Sequence, residues 1–359
     1  MISKIIKKVF TFIFLLIVST TIFSCKENPV NDKDISGRRD YEWTQDTLKV
    51  SADKGYLSII KMWGSSPTDI WAVGWAYRNE NCVWHYDGTN WNNVAVDRYI
   101  APFTVYGFAS NDVWIGGTDG AFWHYDGTKL SKHTQIQLDG YRKVSFEELR
   151  GSSPIDIYAV GEADSIDGVS ISGMIYHFNG TVWEKVNLWI PNNNLYSLRY
   201  NNYTGNYIII SYETLNQTAK SKVYRFDGKS LKTLYTINAG LGLDNIGHDV
   251  YVAIESIIYK YEEDTLKIFK DFSHPGYKAP VVYGGRIWGR SETDFFTLNQ
   301  GWWVGHYNGI DLINIYQATN LMFSDAILFP YDVFLIGTDI STNYNVIIHG
   351  KLKKEERIF

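Results

Sequence analysis

The strongest constraint in this chain is a short signature that returns at nearly regular intervals. An aspartate, a β-branched or aromatic residue and a further aromatic recur at Asp69-Ile70-Trp71, Asp112-Val113-Trp114 and Asp156-Ile157-Tyr158. They recur again at Asp249-Val250-Tyr251, Asp294-Phe295-Phe296 and Asp332-Val333-Phe334, and a degenerate copy, Asn206-Tyr207-Ile208, fills the gap between the two sets. The successive spacings are 43, 44, 50, 43, 45 and 38 residues. Such a period means a chain of similar supersecondary units, each too small to bury its apolar face alone.

Within a unit the strand logic is readable. "LSIIKMWG" is an apolar run closed by "SSPTD", whose Pro67 and Asp69 supply turn chemistry. "IWAVG" makes a second strand, "CVWHYDG" a third, and "DGTN" a hairpin turn into a fourth, "WNNVAV". Four short antiparallel strands in each repeat describe a propeller blade, and no helical periodicity competes. The expected fold is therefore all-β: a seven-bladed β-propeller with four antiparallel strands per blade, with six or eight blades as alternatives. One such domain is expected over residues 43–359. A composition of 16 % aromatic and 20 % charged residues suits pleated, half-buried surfaces. The net charge of −5 argues against a nucleic-acid partner and gives no general attraction to anionic lipid.

The repeats resemble kelch and WD40 repeats in style. Gly116-Gly117 followed by "FWHYDGTKL" is similar to a kelch unit, with its glycine pair, tyrosine and later tryptophan. Other units depart from this, since Trp75 follows Gly74 and Glu162 follows Gly161. The resemblance implies a divergent bacterial propeller lipoprotein and says little about activity, because propellers host many functions.

The first residues read as an address. Lys4, Lys7 and Lys8 precede an apolar run from Val9 to Phe23, too short and one-sided for a stable span. "TIFSC" resembles the lipobox of bacterial lipoproteins. That resemblance implies a signal peptide over residues 1–24, an acylated Cys25, a polar tether over residues 25–42 and contact with the membrane only through the lipid. With Lys26 rather than an aspartate after the cysteine, it also implies an outer-membrane lipoprotein, periplasmic or surface-facing. Only Cys82 remains, so no disulfide is expected to hold the domain. Residues 43–50 are expected to complete the last blade as its outer strand, with the C-terminal tail as a competitor.

A residue that recurs once per blade is explained by the blade. On this ground the register aspartates are expected to bond turn amides. His85, His124, His177 and His306 are expected to be scaffold, each in its own blade. Trp71, Trp84, Trp91, Trp114, Trp123 and Trp183 are expected to pack between blades, and Cys82 to be inert. Function is expected on the variable connections between second and third strands and between blades, such as "WAYRNEN", "NLWIPNNNLY", "DFSHPGYKAP" and "LNQGWW". There Trp75, Tyr77, Arg78, Trp189, Tyr277 and Trp302 are the ligand-binding candidates, because flat rings beside amides suit a sugar face or a protein hot spot. Glu162, Asp164 and Asp167 in "EADSIDG" form a weak calcium candidate; no other cofactor is expected.

Signatures of metalloproteases, nucleophile elbows and phosphate loops are absent. "DGTNW" is similar to the Asp-box of sialidases, although its Asp-to-Trp spacing differs. The expected function is a non-enzymatic binding module for a glycan or an envelope protein. The alternatives are a carbohydrate-active enzyme with carboxylates at the channel mouth, and a structural envelope component.

Overall fold

The computed structural model describes residues 36–48, 57–76, 82–96, 101–213, 220–274, 286–299 and 303–354. Among these the secondary structure is strands β1 to β28 in chain order and one 3-10 turn at Thr118–Gly120. After β1 (Tyr41–Leu48) the strands come in antiparallel fours. The first four are β2 (Leu57–Ser66), β3 (Asp69–Ala76), β4 (Val83–Tyr86) and β5 (Trp91–Asn93). Next come β6 (Pro102–Ala109), β7 (Asp112–Gly117), β8 (Ala121–Tyr125) and β9 (Leu130–Gln135). The third blade holds β10 (Tyr141–Ser153), β11 (Asp156–Ser165), β12 (Ile171–Phe178) and β13 (Trp183–Pro191). The fourth holds β14 (Asn193–Tyr200), β15 (Tyr207–Glu213), β16 (Ser221–Phe226) and β17 (Leu231–Ile237). The fifth holds β18 (Leu241–Ile246), β19 (Asp249–Ile254), β20 (Ile257–Glu262) and β21 (Thr265–Asp271). Then follow β22 (Ile287–Ser291), β23 (Asp294–Asn299), β24 (Trp303–Tyr307) and β25 (Leu312–Gln317). The last set is β26 (Leu321–Leu328), β27 (Asp332–Asp339) and β28 (Asn345–Leu352), and its fourth strand is β1.

The first strand of each set touches the first strand of the next: β2 meets β6, then β10, β14, β18, β22 and β26 follow, and β26 returns to β2. These strands line the centre of a ring, which makes the fold a β-propeller. β1 closes it, running antiparallel to β28 from Tyr41↔Leu352 to Leu48↔Asn345. The closing strand is thus the N-terminal one, beginning two residues earlier than the sequence implied. Positions 49–50 and the tail at 355–359 lie outside the described residues. The end of the polar segment is docked rather than free. Arg39 Nη1 pairs with Asp311 at 2.7 Å, and its Nη2 donates to the His306 carbonyl at 2.8 Å. Ser36 and Thr293 share a hydroxyl hydrogen bond of 3.0 Å, so the chain enters at the strand 1–2 and 3–4 turns of the blade that holds β22 to β25.

The apolar core lies between blades. Trp71 and Val73 of one blade pack with Val105, Val113, Ile115 and Trp123 of the next. Phe122 and Trp183 stack at 3.9 Å and 5° across the following interface. Trp84 packs with Phe334, Ile336 and Ile347 across the closure. Burying a large apolar side chain contributes roughly 1.5–3 kcal/mol, so these interfaces supply the stability that no disulfide provides. Cys82 is fully buried among them, and burial pushes its thiol up to about 12.

The recurrent polar residues form one row across each blade. The signature aromatic lies directly opposite the third-strand histidine in the pairs Trp71↔His85, Trp114↔His124, Tyr158↔His177, Phe296↔His306 and Phe334↔His349. Each histidine ring lies within 4.6 Å of its aromatic partner and bonds the register aspartate through Nε2 at 2.6–2.7 Å. This corrects one expectation: the register aspartates bond histidines and Ser65 or Ser152, not turn amides. The amides of the strand 3–4 turns are capped by other residues. Asp87, Asp126, Asn179, Asp227 and Asn308 each accept from two of them, because the hairpin geometry aims those amides at the first turn residue.

Candidate functional site

The inner strands carry a feature the repeat does not announce. In β2, β6, β10, β14 and β26 the pairing with the second strand slips by one residue, leaving Ile60, Phe103, Glu147, Tyr196 and Ser324 as bulges at one level of the ring. A bulge bends its strand and re-aims a side chain. The glycine after each "AV" accommodates it: a Cβ on Gly74 or Gly161 would sit 1.9 Å from the Ser58 or Ser145 carbonyl oxygen. The first four bulged residues line a cavity of about 330 Å³ in the half of the channel where the inner strands begin, together with Lys61, Ser197, Arg199, Leu241, Asp244, Arg286, Trp288 and Asp325.

A second cavity of about 250 Å³ lies toward the strand 1–2 turns. Its wall contains one residue from every inner strand at a common register: Trp63, Tyr106, Arg150, Arg199, Asp244, Trp288 and Ile327, each opposite the third residue of the signature. No two neighbours in this layer are alike except the arginines. Arg199, Asp244, Trp288 and Asp325 border both cavities.

The waist is held by ion pairs, three of the four crossing between blades. Fully buried Glu148 receives Lys61 Nζ at 2.9 Å, Arg150 Nη1 at 2.6 Å and Arg199 Nη1 at 3.1 Å. Arg199 Nε reaches on to Asp244 at 2.9 Å. Burial opposes ionisation of Glu148, but the attraction of Arg150, Lys61 and Arg199 outweighs it and holds the carboxyl far below its usual range. Two other acids go the opposite way. Burial, with repulsion from Glu162, pushes Glu147 up to about 7. Burial also raises Asp325, which accepts a hydrogen bond from the Met62 amide at 2.8 Å and lies 3.9 Å from Arg286 Nη1. That is the longest ion pair in the channel, and Arg286 is the most exposed of its cations, at 43 %.

The sequence candidates are arranged differently. Trp75 stands at 43 % exposure on β3, opposite Ser58. Trp189 is not on a loop: residues 187–196 are the end of β13 and the start of β14, joined through Asn192 at φ 59°. Its half-buried ring packs on Tyr141 at 5.2 Å, under Lys185 Nζ at 4.0 Å. Pro191 and three asparagines imitate a loop, but one left-handed residue makes the whole turn. Tyr77, Arg78, Tyr277, Trp302 and Cys25 lie outside the described residues. Glu162 and Asp164 are strand residues of β11, and Asp164 faces Arg142 at 3.4 Å. Asp167 closes its own turn, accepting from Ser165 Oγ at 2.5 Å and the Val169 amide at 3.0 Å. Among the described residues no three His, Cys, Asp or Glu side chains are gathered to hold a metal.

Sequence reasoning missed the channel wall. The signal was present as charges inside the first strand of five units, in "IIKMW", "FEELRG", "SLRY", "LDNI" and "FSDAI".

No family model matches the chain, and no curated protein matches it. Solved structures do, and they are propellers. YCF48 bound to a D1 peptide aligns at 14 % identity over 89 % of this chain and 98 % of that one, with a TM-score of 0.57. The β-propeller domain of Cps50 (Swd1) from Myceliophteria thermophila aligns at 7 % identity over 85 % and 99 %, with a TM-score of 0.55. The WD40 β-propeller domain of Doa1 aligns at 11 % identity over 89 % and 98 %, with a TM-score of 0.54. At such identities the likeness is one of fold.

Proposed function

We propose that this chain is a seven-bladed propeller of the cell envelope, anchored through an acylated Cys25, and that it serves as a docking module for a protein partner. The partner approaches the face where the inner strands begin, and an acidic or carboxylate-bearing segment enters the channel mouth. The observation that carries this reading is the cavity of about 330 Å³ whose wall takes a different side chain from nearly every blade, cations included. Repetition explains none of them, and a rigid ring holds them in place. The complex of YCF48 with a D1 peptide is consistent with a propeller used in this way. An unbiased screen of envelope proteins and glycans against the purified full chain tests it. Capture of an envelope protein, lost on Trp75→Ala with an unchanged melting temperature, is the expected result. Binding of neutral glycans alone would replace the protein partner with a sugar, and no binding to either would remove the docking reading.

A hydrolytic reading has one observation in its favour. Glu147 and Asp325, from different blades, line the same cavity, and both are shifted upward. Against it, Asp325 is committed to the Met62 amide. Turnover of a chromogenic glycoside that disappears in Glu147→Gln would favour hydrolysis over docking.

A further inference from the structure

The channel-mouth cavity has a composition that selects a ligand class. Four cations, Lys61, Arg150, Arg199 and Arg286, stand in or beside it. Two carboxylates, Glu148 and Asp244, are held in ion pairs of 2.6–3.1 Å, and three of the four cations are spent on them. Arg286 is the remaining one. Among the described residues its only carboxylate partner is Asp325, at 3.9 Å, beyond the 2.7–2.9 Å of a good charge-assisted hydrogen bond. Its planar fork matches a carboxylate in two parallel bonds, which an ammonium does not. Around it the wall is largely apolar and aromatic, with Phe103, Trp288, Ile60, Leu241 and Leu243, broken by Glu147 and Asp325, whose carboxyls burial pushes upward, toward the neutral form. Tyr196 is fixed by donating its hydroxyl to the Leu241 carbonyl at 3.1 Å. A ligand suited to this wall has an apolar body and one anionic, planar head.

We propose that the cavity binds an organic carboxylate of this kind, with Arg286 as the residue that meets the head and Phe103 and Trp288 as the walls that receive the body. The bulges at Phe103 and Tyr196 are what place those rings inside the ring of strands. The inference deepens the docking reading and rests on it for the face used. The carboxylate is either that of a free small acid or that of a polypeptide C-terminus, and both offer Arg286 the same chemistry.

Calorimetric titration of the full chain separates these sources. One arm uses phenylacetate against phenylacetamide; the other uses N-acetylglycyl-phenylalanine against its C-terminal amide. In at least one arm the acid is expected to bind at least tenfold more tightly than its amide. Arg286→Gln is expected to abolish that difference while leaving the melting temperature unchanged, and Arg286→Lys to restore part of it. Preference confined to phenylacetate assigns a free acid, and preference confined to the peptide acid assigns a chain terminus. Equal binding of acids and amides, binding of none, or an acid preference that survives Arg286→Gln overturns the proposal. The two readings fail separately. An envelope protein captured equally well by Arg286→Gln keeps docking and removes the carboxylate site. Carboxylate binding without any captured protein does the reverse.

Discussion

The blade rows and the channel wall use the same residue types to opposite ends. In the rows, aspartate meets histidine inside one sheet, between the second strand and the third, and five such pairs repeat with nearly identical geometry. In the channel, acids and bases meet across blades: Lys61 of β2 and Arg199 of β14 converge on Glu148 of β10, and Arg199 continues to Asp244 of β18. The first arrangement can be copied with every repeat because it needs nothing outside the repeat. The second exists only once the ring is closed. A polar residue is therefore architectural when its partner lies in its own unit, and available to selection for binding when its partner lies in another.

The comparison is broken most forcefully at Glu148. Glu148→Ala leaves three cations around an empty, buried site, and losing one member of a buried ion pair costs roughly 3–5 kcal/mol. Urea unfolding at neutral pH reads this directly. A loss under about 1 kcal/mol would mean that water screens the waist as it screens surface pairs, and the contrast with the rows would vanish.

The rows should give less, and in order of burial. His306 and Asp294 are fully buried, and burial holds the His306 pKa below its ordinary value despite the Asp294 bond that pulls it up. Among the described residues His306→Ala leaves Asp294 with only Arg290, at 3.3 Å, and is expected to cost about 1–3 kcal/mol. His85→Ala, in a pair whose members are 28 % and 16 % exposed, should cost less than about 1 kcal/mol. Equal losses at both would show that stacking on Trp71 and Phe296, not the buried carboxylate bond, is what the row contributes.

The fold was legible because a row recurs. Asp69, Trp71 and His85 could be matched to their counterparts by spacing alone, and their counterparts fixed strand length, turn position and blade size. The channel was not legible for two reasons. "LSIIKMWG" reads as an apolar run around one lysine, and inward charges that differ in number, sign and position from strand to strand leave no pattern to compare. The bulges at Ile60, Phe103, Glu147 and Tyr196 then shift the two-residue alternation midway, so parity cannot say which side chains face the centre. Trp189 failed for the converse reason, since proline and asparagines advertised a loop where the chain makes one tight turn.

Glu147 sharpens the contrast through pH. Its carboxyl is raised to about 7, so between the unfolded value near 4.3 and about 7 the folded chain holds a proton that the unfolded chain has released. The Glu147 contribution therefore favours folding at low pH and fades as pH rises through that window, by on the order of 3–4 kcal/mol. Glu147→Gln removes this slope, so wild type minus variant should decline from pH 4.5 to 7 and then level off. A flat difference would place the Glu147 side chain in water, outside the cavity that the bulge is said to feed.

The smallest effect is expected where the two regions look most confusable. In the fifth blade Lys260, like Arg225 opposite Ile208 in the fourth, replaces the histidine of the row with a cation of the kind that elsewhere marks the channel. Its partners place it in the row all the same: Nζ lies 2.8 Å from Asp249, the register aspartate, and directly across the strand from Tyr251. It also reaches Glu292 of the next blade at 2.7 Å. Burial works against its charge, but the bonds to Asp249 and Glu292 outweigh that and hold its pKa above the ordinary lysine value. Lys260→His should keep the aspartate bond and lose the second contact, a change below about 1 kcal/mol for a partly exposed pair. Carboxylate titrations of this variant should match wild type. A weakened titration would tie the turn end of the blade to the channel mouth, and departure from the repeat would then outrank the location of the partner as the sign of a functional side chain.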